Sequence, residues 1–261
     1  YNAAAVIQNG SLKGVVFKSV IPNYREFYEQ RNFRSGNGFN RNYLRFDNLD
    51  APAGTGMVFD DGCGFSFGIE ICEDLWSVIP PSSYLALNGA KLIFNLPAST
   101  ALVGKADYRR KLVAQQSGRT LSGYILSGAG VHESTADVVY GGHSLIAVNG
   151  AIVRENERFD RSTSIISADI DLEALNAARM SESSFNDARE NCSVTARKVD
   201  IEPVAGADEL QYIQLSPRPF VPDCSADRQE RCREIFQIQC AGLAKRIEHT
   251  KAETMVVGLS G

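Results

Sequence analysis

The chain has little that would tie it to a membrane, a metal or a nucleic acid. None of its 261 residues falls in an apolar run approaching the roughly 18 residues that span a bilayer. Tyr1 to Gly10 has no basic stretch followed by an apolar one, so it is no signal peptide. That absence excludes little, because the chain opens without a Met and Ala3 to Ile7 already reads as the interior of a strand. Only three His residues occur, and the six Cys residues (63, 72, 192, 224, 232 and 240) never form a Cys-x-x-Cys pair. This excludes a zinc signature and a disulfide scaffold, and it points to a reducing compartment. Charge of one sign is missing too. The 27 Lys and Arg nearly balance 31 Asp and Glu, for a formal charge of -4. Without a basic stripe there is no argument for nucleic acid or an anionic membrane. There are no internal repeats and no low-complexity tract.

What is present is an ordinary globular composition, 44% apolar and 22% charged, over a length that can bury a sizeable core. Ala3 to Ile7 and Lys13 to Val20 read as two strands around Asn9-Gly10, a strong hairpin signal. Pro22 to Arg34 reads as a polar, aromatic loop with one helical turn. Thr55 to Asp60 and Cys63 to Ile71 read as a second strand pair around Asp61-Gly62. Ser83 to Asn88 is helical and capped by Gly89, and Lys91 to Leu96 is a buried-type strand. Asp107 to Ser122 has helical spacing, Tyr124 to Ala129 is a strand, and Gly142 to Val153 is a hairpin around Asn149-Gly150. Ser164 to Ile170 is expected to be a strand, and Asp171 to start a helix towards Met180. Hairpins mixed with strand-helix-strand units predict an α/β sandwich with a mixed sheet. Beyond about Ser181 the character changes. Glu190 to Asp208 reads as irregular, and Pro217, Pro219 and Pro222 as a stiff linker. Arg228 to Glu248 is expected to be a long amphipathic helix and Met255 to Leu259 a strand.

The segment Gly68-Ile69-Glu70-Ile71-Cys72-Glu73-Asp74-Leu75-Trp76 carries the most chemistry. A strand ends at a Cys and a polar turn leads towards a helix, which puts the thiol at the C-terminal edge of a sheet, where α/β active sites gather. Backbone amides after such a turn can face an anion. A free Cys is usually a small buried hydrophobe, but three carboxylates crowding a core thiol would be costly without purpose. Those carboxylates raise the thiol pKa, so a cation is required nearby. Lys18, at the end of Val15-Val16-Phe17, is the best candidate, although a strand-end Lys is more often a solvated edge residue. His132 and His143 lack a supporting pattern and read as structural or surface residues.

At this point the residues resemble a family. Lys18-Ser19-Val20-Ile21-Pro22 resembles the Lys-x-x-Leu-Pro motif of the nitrilase superfamily, and Gly68 to Trp76 its cysteine motif. Pro22 to Arg31, Asn95-Leu96-Pro97-Ala98-Ser99, Gly104 to Arg110, Gly128 to Thr135 and Glu155 to Phe159 resemble the glutaminase domain of bacterial glutamine-dependent NAD synthetases. Pro219 to Pro222 and Gln239 to Arg246 resemble the linker and first helix of the synthetase domain in that family. Val256 to Gly261 resembles the strand and opening of its pyrophosphate loop, Ser-Gly-Gly-x-Asp-Ser. The resemblance covers nearly the whole chain.

It implies a nitrilase-like α-β-β-α sandwich, incomplete at the N-terminus, over residues 1–185. A linker would occupy 186–222, and the first helix and strand of a second α/β domain 223–261. It implies Cys72 as nucleophile towards the side-chain amide of L-glutamine, with Lys18 and the backbone N–H of Glu73 holding the oxyanion. Glu29 matches an acidic residue that positions the Lys; otherwise it is an exposed carboxylate paired with Arg25 or Arg31. Tyr24, Ser99 and Lys105 match glutamine-binding positions, and Glu133 is a further contact. Relatives often carry Arg where Lys105 stands, and Lys cannot form the bidentate fork with a carboxylate. The family's general base is a Glu on a strand ahead of the Lys, and residues 1–17 contain no Glu or Asp. By itself the chain is therefore expected to be a poor glutaminase. Ser260 and Gly261 match the ATP loop, so ATP, Mg2+ and deamido-NAD are expected at a synthetase domain. The chain itself is expected to hold no metal or cofactor. A cytoplasmic homo-oligomer is expected, with neither nucleic acid nor membrane as partner. The competing readings are a stand-alone nitrilase-type amidohydrolase and a non-catalytic scaffold.

Overall fold

The computed structural model describes residues 1–46, 49–133, 138–206, 210–213, 217–218, 221 and 224–258. The chain divides into two units, Tyr1–Tyr212 and Ile213–Gly261. In the first unit, β1 (Ala3–Gln8) and β2 (Ser11–Phe17) form the expected hairpin. Asn9 and Gly10 take φ of 50° and 74°, as a tight two-residue turn requires. β4 (Leu49–Gly54) joins β2 in parallel, and β3 (Tyr43–Phe46) pairs antiparallel with β4. The order is β1-β2-β4-β3.

The second sheet has seven strands: β5 (Met57–Asp60), β6 (Ser66–Glu70), β7 (Leu92–Asn95), β8 (Gly123–Leu126), β9 (Leu145–Val148), β10 (Ala151–Glu155) and β11 (Arg197–Asp200). Their order is β10-β9-β8-β7-β6-β5-β11. β6, β7 and β8 run parallel at its centre, flanked by antiparallel neighbours. On one face α1 (Pro81–Leu87) and α2 (Lys105–Thr120) bury Leu85 and Val113 against Val58, Ile93, Tyr124, Leu126 and Leu145. On the other face, Ala4 and Val16 of the small sheet meet Met57, Phe59, Ile69, Ile71 and Val199. Gly14 shows how close the sheets run, since a Cβ there would lie 2.8 Å from the Phe59 ring. The described residues thus form an α-β-β stack with a mixed sheet, the α/β class that the sequence predicts.

The domain boundary lies further along than expected. α3 (Leu172–Ser181), capped by the Asp171 side chain, and α4 (Ser183–Glu190) belong to the first unit, and β11 pairs in parallel with β5. The segment read as a linker from 186 therefore contributes a sheet strand, and the unit runs to Tyr212. Ser164 to Ile170 is no strand; the Ile170 side chain lies instead over Gly123, with Cδ1 3.0 Å from where a Cβ would be. β3 and β4 escape a propensity reading because Pro52 and Gly54 punctuate β4 like a turn. The second unit contains α5 (Ser225–Thr250), which matches the expected long helix. No strand appears over 255–258, and among the described residues of the unit there is no strand for it to pair with. Pro219, Pro222, Ser260 and Gly261 lie outside the described residues. Among the described residues no helix is long and apolar enough to cross a membrane.

Candidate active site

The parallel pairing of β6 with β7 puts Glu70 opposite Asn95. The chain beyond β6 then turns sharply at Cys72, whose φ of 51° is left-handed and costly for a side chain other than Gly. A 3-10 turn, Cys72–Trp76, follows. Cys72 is 7% exposed, so burial pushes its thiol above the usual range. The charge of Lys18 and a backbone N–H from Ala98 pull it back, while Glu29 and Glu73 push with the burial.

Lys18 follows β2 and is 1% exposed, so it is not the solvated edge residue that strand-end lysines usually are. Its ammonium donates to both carboxylate oxygens of Glu29, at 2.8 and 2.7 Å. Glu29 therefore pairs with Lys18 rather than with Arg25 or Arg31. The loop after Lys18 is tied to the Cys72 turn by one buried carboxylate. Asp74 Oδ1 accepts from the N–H groups of Ser19 (3.0 Å) and Val20 (2.7 Å), and Oδ2 from Ile71 N–H (2.9 Å). Burial raises the Asp74 carboxyl to about 6, against the pull of those three amides.

Beside the thiol opens a cavity of about 350 Å³, lined by Cys72, Glu73, Tyr24, Ser99, Lys105 and Trp76 among others. The Tyr24 hydroxyl donates to Glu73 Oε1 at 2.6 Å, and burial with that contact pushes its pKa up to about 12. Lys105 Nζ sits over the rings of Trp76 (5.4 Å) and Phe27 (5.7 Å) and donates to Thr100 Oγ1 (3.3 Å). Its pKa is lowered by burial first and then by Arg109. The buried Arg109 guanidinium donates to Ser99 Oγ at 3.1 Å and meets His143 Nδ1 at 2.8 Å. His143 Nε2 faces Glu155 Oε1 at 2.9 Å, so this His is a structural bridge, as its lack of a local motif suggests. His132 is exposed. Glu133 is exposed and is not part of the cavity lining. Among the described residues no cluster of His, Cys, Asp and Glu could hold a metal ion.

The tertiary structure thus gathers Cys72, Glu73, Tyr24, Ser99 and Lys105 around one cavity, with the charges of the Lys18–Glu29 pair acting on the thiol. Sequence reading missed Asp74 as the tie between the two motifs. It also missed Asn95 and Tyr124, which sit in apolar strand runs, and Arg109, hidden in a helix with other basic residues. The order of the Lys and Cys motifs is the one signal that could have led to Asp74.

No family model matches the chain. Over 268 aligned positions it is 37% identical to the glutamine-dependent NAD(+) synthetase of Mycobacterium tuberculosis (strain ATCC 25618 / H37Rv), covering 100% of this chain and 39% of that protein. It superposes on the crystal structure of a glutamine-dependent NAD(+) synthetase from Cytophaga hutchinsonii with a TM-score of 0.53 and 26% identity, over 60% of this chain and 25% of that one. A carbon-nitrogen hydrolase from Helicobacter pylori G27 matches in fold, with a TM-score of 0.55 at 20% identity, over 73% of this chain and 63% of that one. The chain spans about two fifths of the length of the curated relatives it matches. Along its whole length the chain is similar to curated glutamine-dependent NAD(+) synthetases, and over 60% of that length to a solved structure of one.

Proposed function

We propose that the chain provides the glutaminase step of a glutamine-dependent NAD synthetase. Cys72 sulfur attacks the side-chain amide carbon of L-glutamine, giving a tetrahedral oxyanion. That intermediate collapses to a glutamyl thioester as ammonia leaves, carrying a proton. Water then cleaves the thioester to glutamate and restores the thiol. The buried Lys18 ammonium supports both the thiolate and the oxyanion, and Glu29 holds it in place. The Glu73 N–H lies at the second position of its turn, where an amide has no acceptor within the turn, and it serves as the second oxyanion donor. Tyr24, Ser99 and Lys105 receive the amino-acid end of glutamine, with Lys105 meeting the α-carboxylate by charge. Glu133 remains a further substrate contact from outside the lining. Because the thiol is held protonated by burial, a base must take its proton. The family resemblance assigns that task to a Glu on a strand ahead of Lys18, a role that none of residues 1–17 can fill.

In this reading the ammonia amidates deamido-NAD that ATP has activated, in a Mg2+-dependent step at a synthetase domain to which Ser260 and Gly261 contribute. The protein is a cytoplasmic homo-oligomer, with the first unit, Tyr1–Tyr212, as the amidohydrolase body and 223–261 as the opening of the synthetase domain. The observation that carries the reading is the tie through Asp74, which holds the Lys18 loop against the Cys72 turn beside a substrate-sized cavity.

The test measures ammonia released from L-glutamine by the full-length protein, with and without deamido-NAD and ATP. Release that vanishes in Cys72→Ala and rises with NAD formation is expected. Equal release from Cys72→Ala would end the proposal. Glutamine-derived ammonia that never enters NAD would favour the stand-alone amidohydrolase instead.

A further inference from the structure

Behind the Cys72 turn runs a buried chain of hydrogen bonds that the proposed reaction does not use. Cys72 N–H donates to Asn95 Oδ1 at 2.9 Å, and Asn95 Nδ2 donates to the Tyr124 hydroxyl oxygen at 2.9 Å. The Tyr124 hydroxyl donates to Glu70 Oε1, and Ser82 N–H donates to Glu70 Oε2 at 2.8 Å. Asn95, Tyr124, Glu70 and Ser82 are each no more than 1% exposed. The direction of the chain is forced from one end. A peptide N–H can only donate, so Asn95 must turn its oxygen to Cys72 and its nitrogen to Tyr124. Tyr124 then accepts with its oxygen, and its proton has only Glu70 to go to. A carboxylate that accepts from both sides closes the sequence with every group satisfied.

Two consequences follow for Cys72. Its left-handed backbone, φ 51°, is anchored by a hydrogen bond that a relaxed backbone would break, leaving a buried N–H unpaired. Its N–H is also occupied, and so is that of Asp74, which donates to Ile71 O at 3.2 Å. Of the first three amides of the turn, the one between them, on Glu73, remains for an anion.

We infer that Asn95 is a positioning residue for the nucleophile. It locks the backbone of Cys72 in its left-handed form and withdraws the Cys72 N–H from the cavity, while Tyr124 and Glu70 dictate which way its amide points. The inference rests on the reading of Cys72 as nucleophile, and it adds Asn95, Tyr124 and Glu70 to the machinery.

The experiment follows alkylation of each Cys by iodoacetamide across pH, resolved by mass spectrometry, with exposed Cys63 as the internal reference. In Asn95→Leu, alkylation of Cys72 near neutral pH is expected to slow about tenfold and its midpoint to move to higher pH, with Cys63 unchanged. Ammonia release should lose about a hundredfold in kcat with KM within about threefold, the split expected when geometry at the reacting atom fails but binding does not. Tyr124→Phe, which removes one oxygen at constant shape, should act in the same direction by about three- to tenfold. Added to Asn95→Leu, it should change nothing further. If Asn95→Leu does not fold, Tyr124→Phe alone decides. Wild-type rate and midpoint at Cys72 in the folded variants would overturn the inference. A full-length protein that hydrolyses no glutamine would sink the functional reading, while the alkylation comparison would still decide the role of Asn95.

Discussion

At the scale of single residues, the site depends on charges placed where water cannot reach them. Lys18 is fully buried in its side chain and Glu29 only a quarter exposed, so each desolvated charge needs the other. Lys18→Met should remove glutamine hydrolysis and leave Glu29 without its cation. Unfolding in urea should show a stability loss of about 2–4 kcal/mol, and Lys18→Met with Glu29→Gln should recover part of it. Asp74 is a sharper case, because all three of its hydrogen bonds come from backbone N–H groups. Asp74→Asn keeps the shape but turns an N–H2 towards one of those donors. A loss of about 2–3 kcal/mol is expected, with activity falling further than stability, since the Lys18 loop is what comes loose. Wild-type activity in a folded Asp74→Asn protein would show that the tie does not matter. None of this was legible locally. Three carboxylates near a Cys could be seen in the chain, but which one meets Tyr24, which Tyr124 and which only backbone amides depends on contacts as far as 49 to 55 residues away.

At the scale of elements, the readable signals were those written within a few residues. The Asn9-Gly10 and Asn149-Gly150 turns formed hairpins, and the helical spacing after Gly104 formed α2. What failed were segments whose state depends on a neighbour. Arg197–Asp200 is polar in sequence and becomes a strand because β5 offers an edge; Ser164 to Ile170 alternates like a strand and does not form one. The end of α2 shows the same dependence. Arg179, from α3, donates to the carbonyls of Thr120 (3.1 Å) and Leu121 (3.0 Å) where α2 closes, and to Ala90 O (2.7 Å). Burial lowers its pKa to about 10, and those carbonyls are what satisfy it. Arg179→Ala should orphan three buried acceptors and cost about 2–4 kcal/mol by thermal or urea unfolding, without changing the KM for glutamine. At the meeting of the sheets, Gly14→Ala should cost about 1–3 kcal/mol, because the Phe59 ring must move from its 2.8 Å approach.

For the whole molecule, two buried carboxyls make stability fall with pH. Glu70 is raised to about 7 and Asp74 to about 6, both chiefly by burial. The folded state therefore binds these protons more tightly than the unfolded chain. The stabilisation is complete below about pH 4 and is lost as pH rises through about 6 to 7. Carboxyls held low by hydrogen bonds, such as Glu155 with Arg110, act in the opposite sense, so the comparison needs a variant. Glu70→Gln should be less stable than wild type by a margin that narrows by up to about 2 kcal/mol between pH 5 and pH 8. A margin that is constant or widens over that range would show that Glu70 titrates normally.

The linear order of residues determined the kind of chemistry. A Lys motif, a Cys motif, the turn pairs and the long helix over Arg228 to Glu248 are local patterns, carried by backbone preference and side-chain type within short windows. Tertiary structure alone decided that residue 18 is buried with residue 29, that Asp74 ties their loop to the thiol's turn, and that the first unit reaches Tyr212. It also decided that Asn95 backs the thiol. The physical reason is the same for each. Burial and hydrogen-bond direction are set by whichever strand or loop packs opposite, and a linear pattern does not contain its partner.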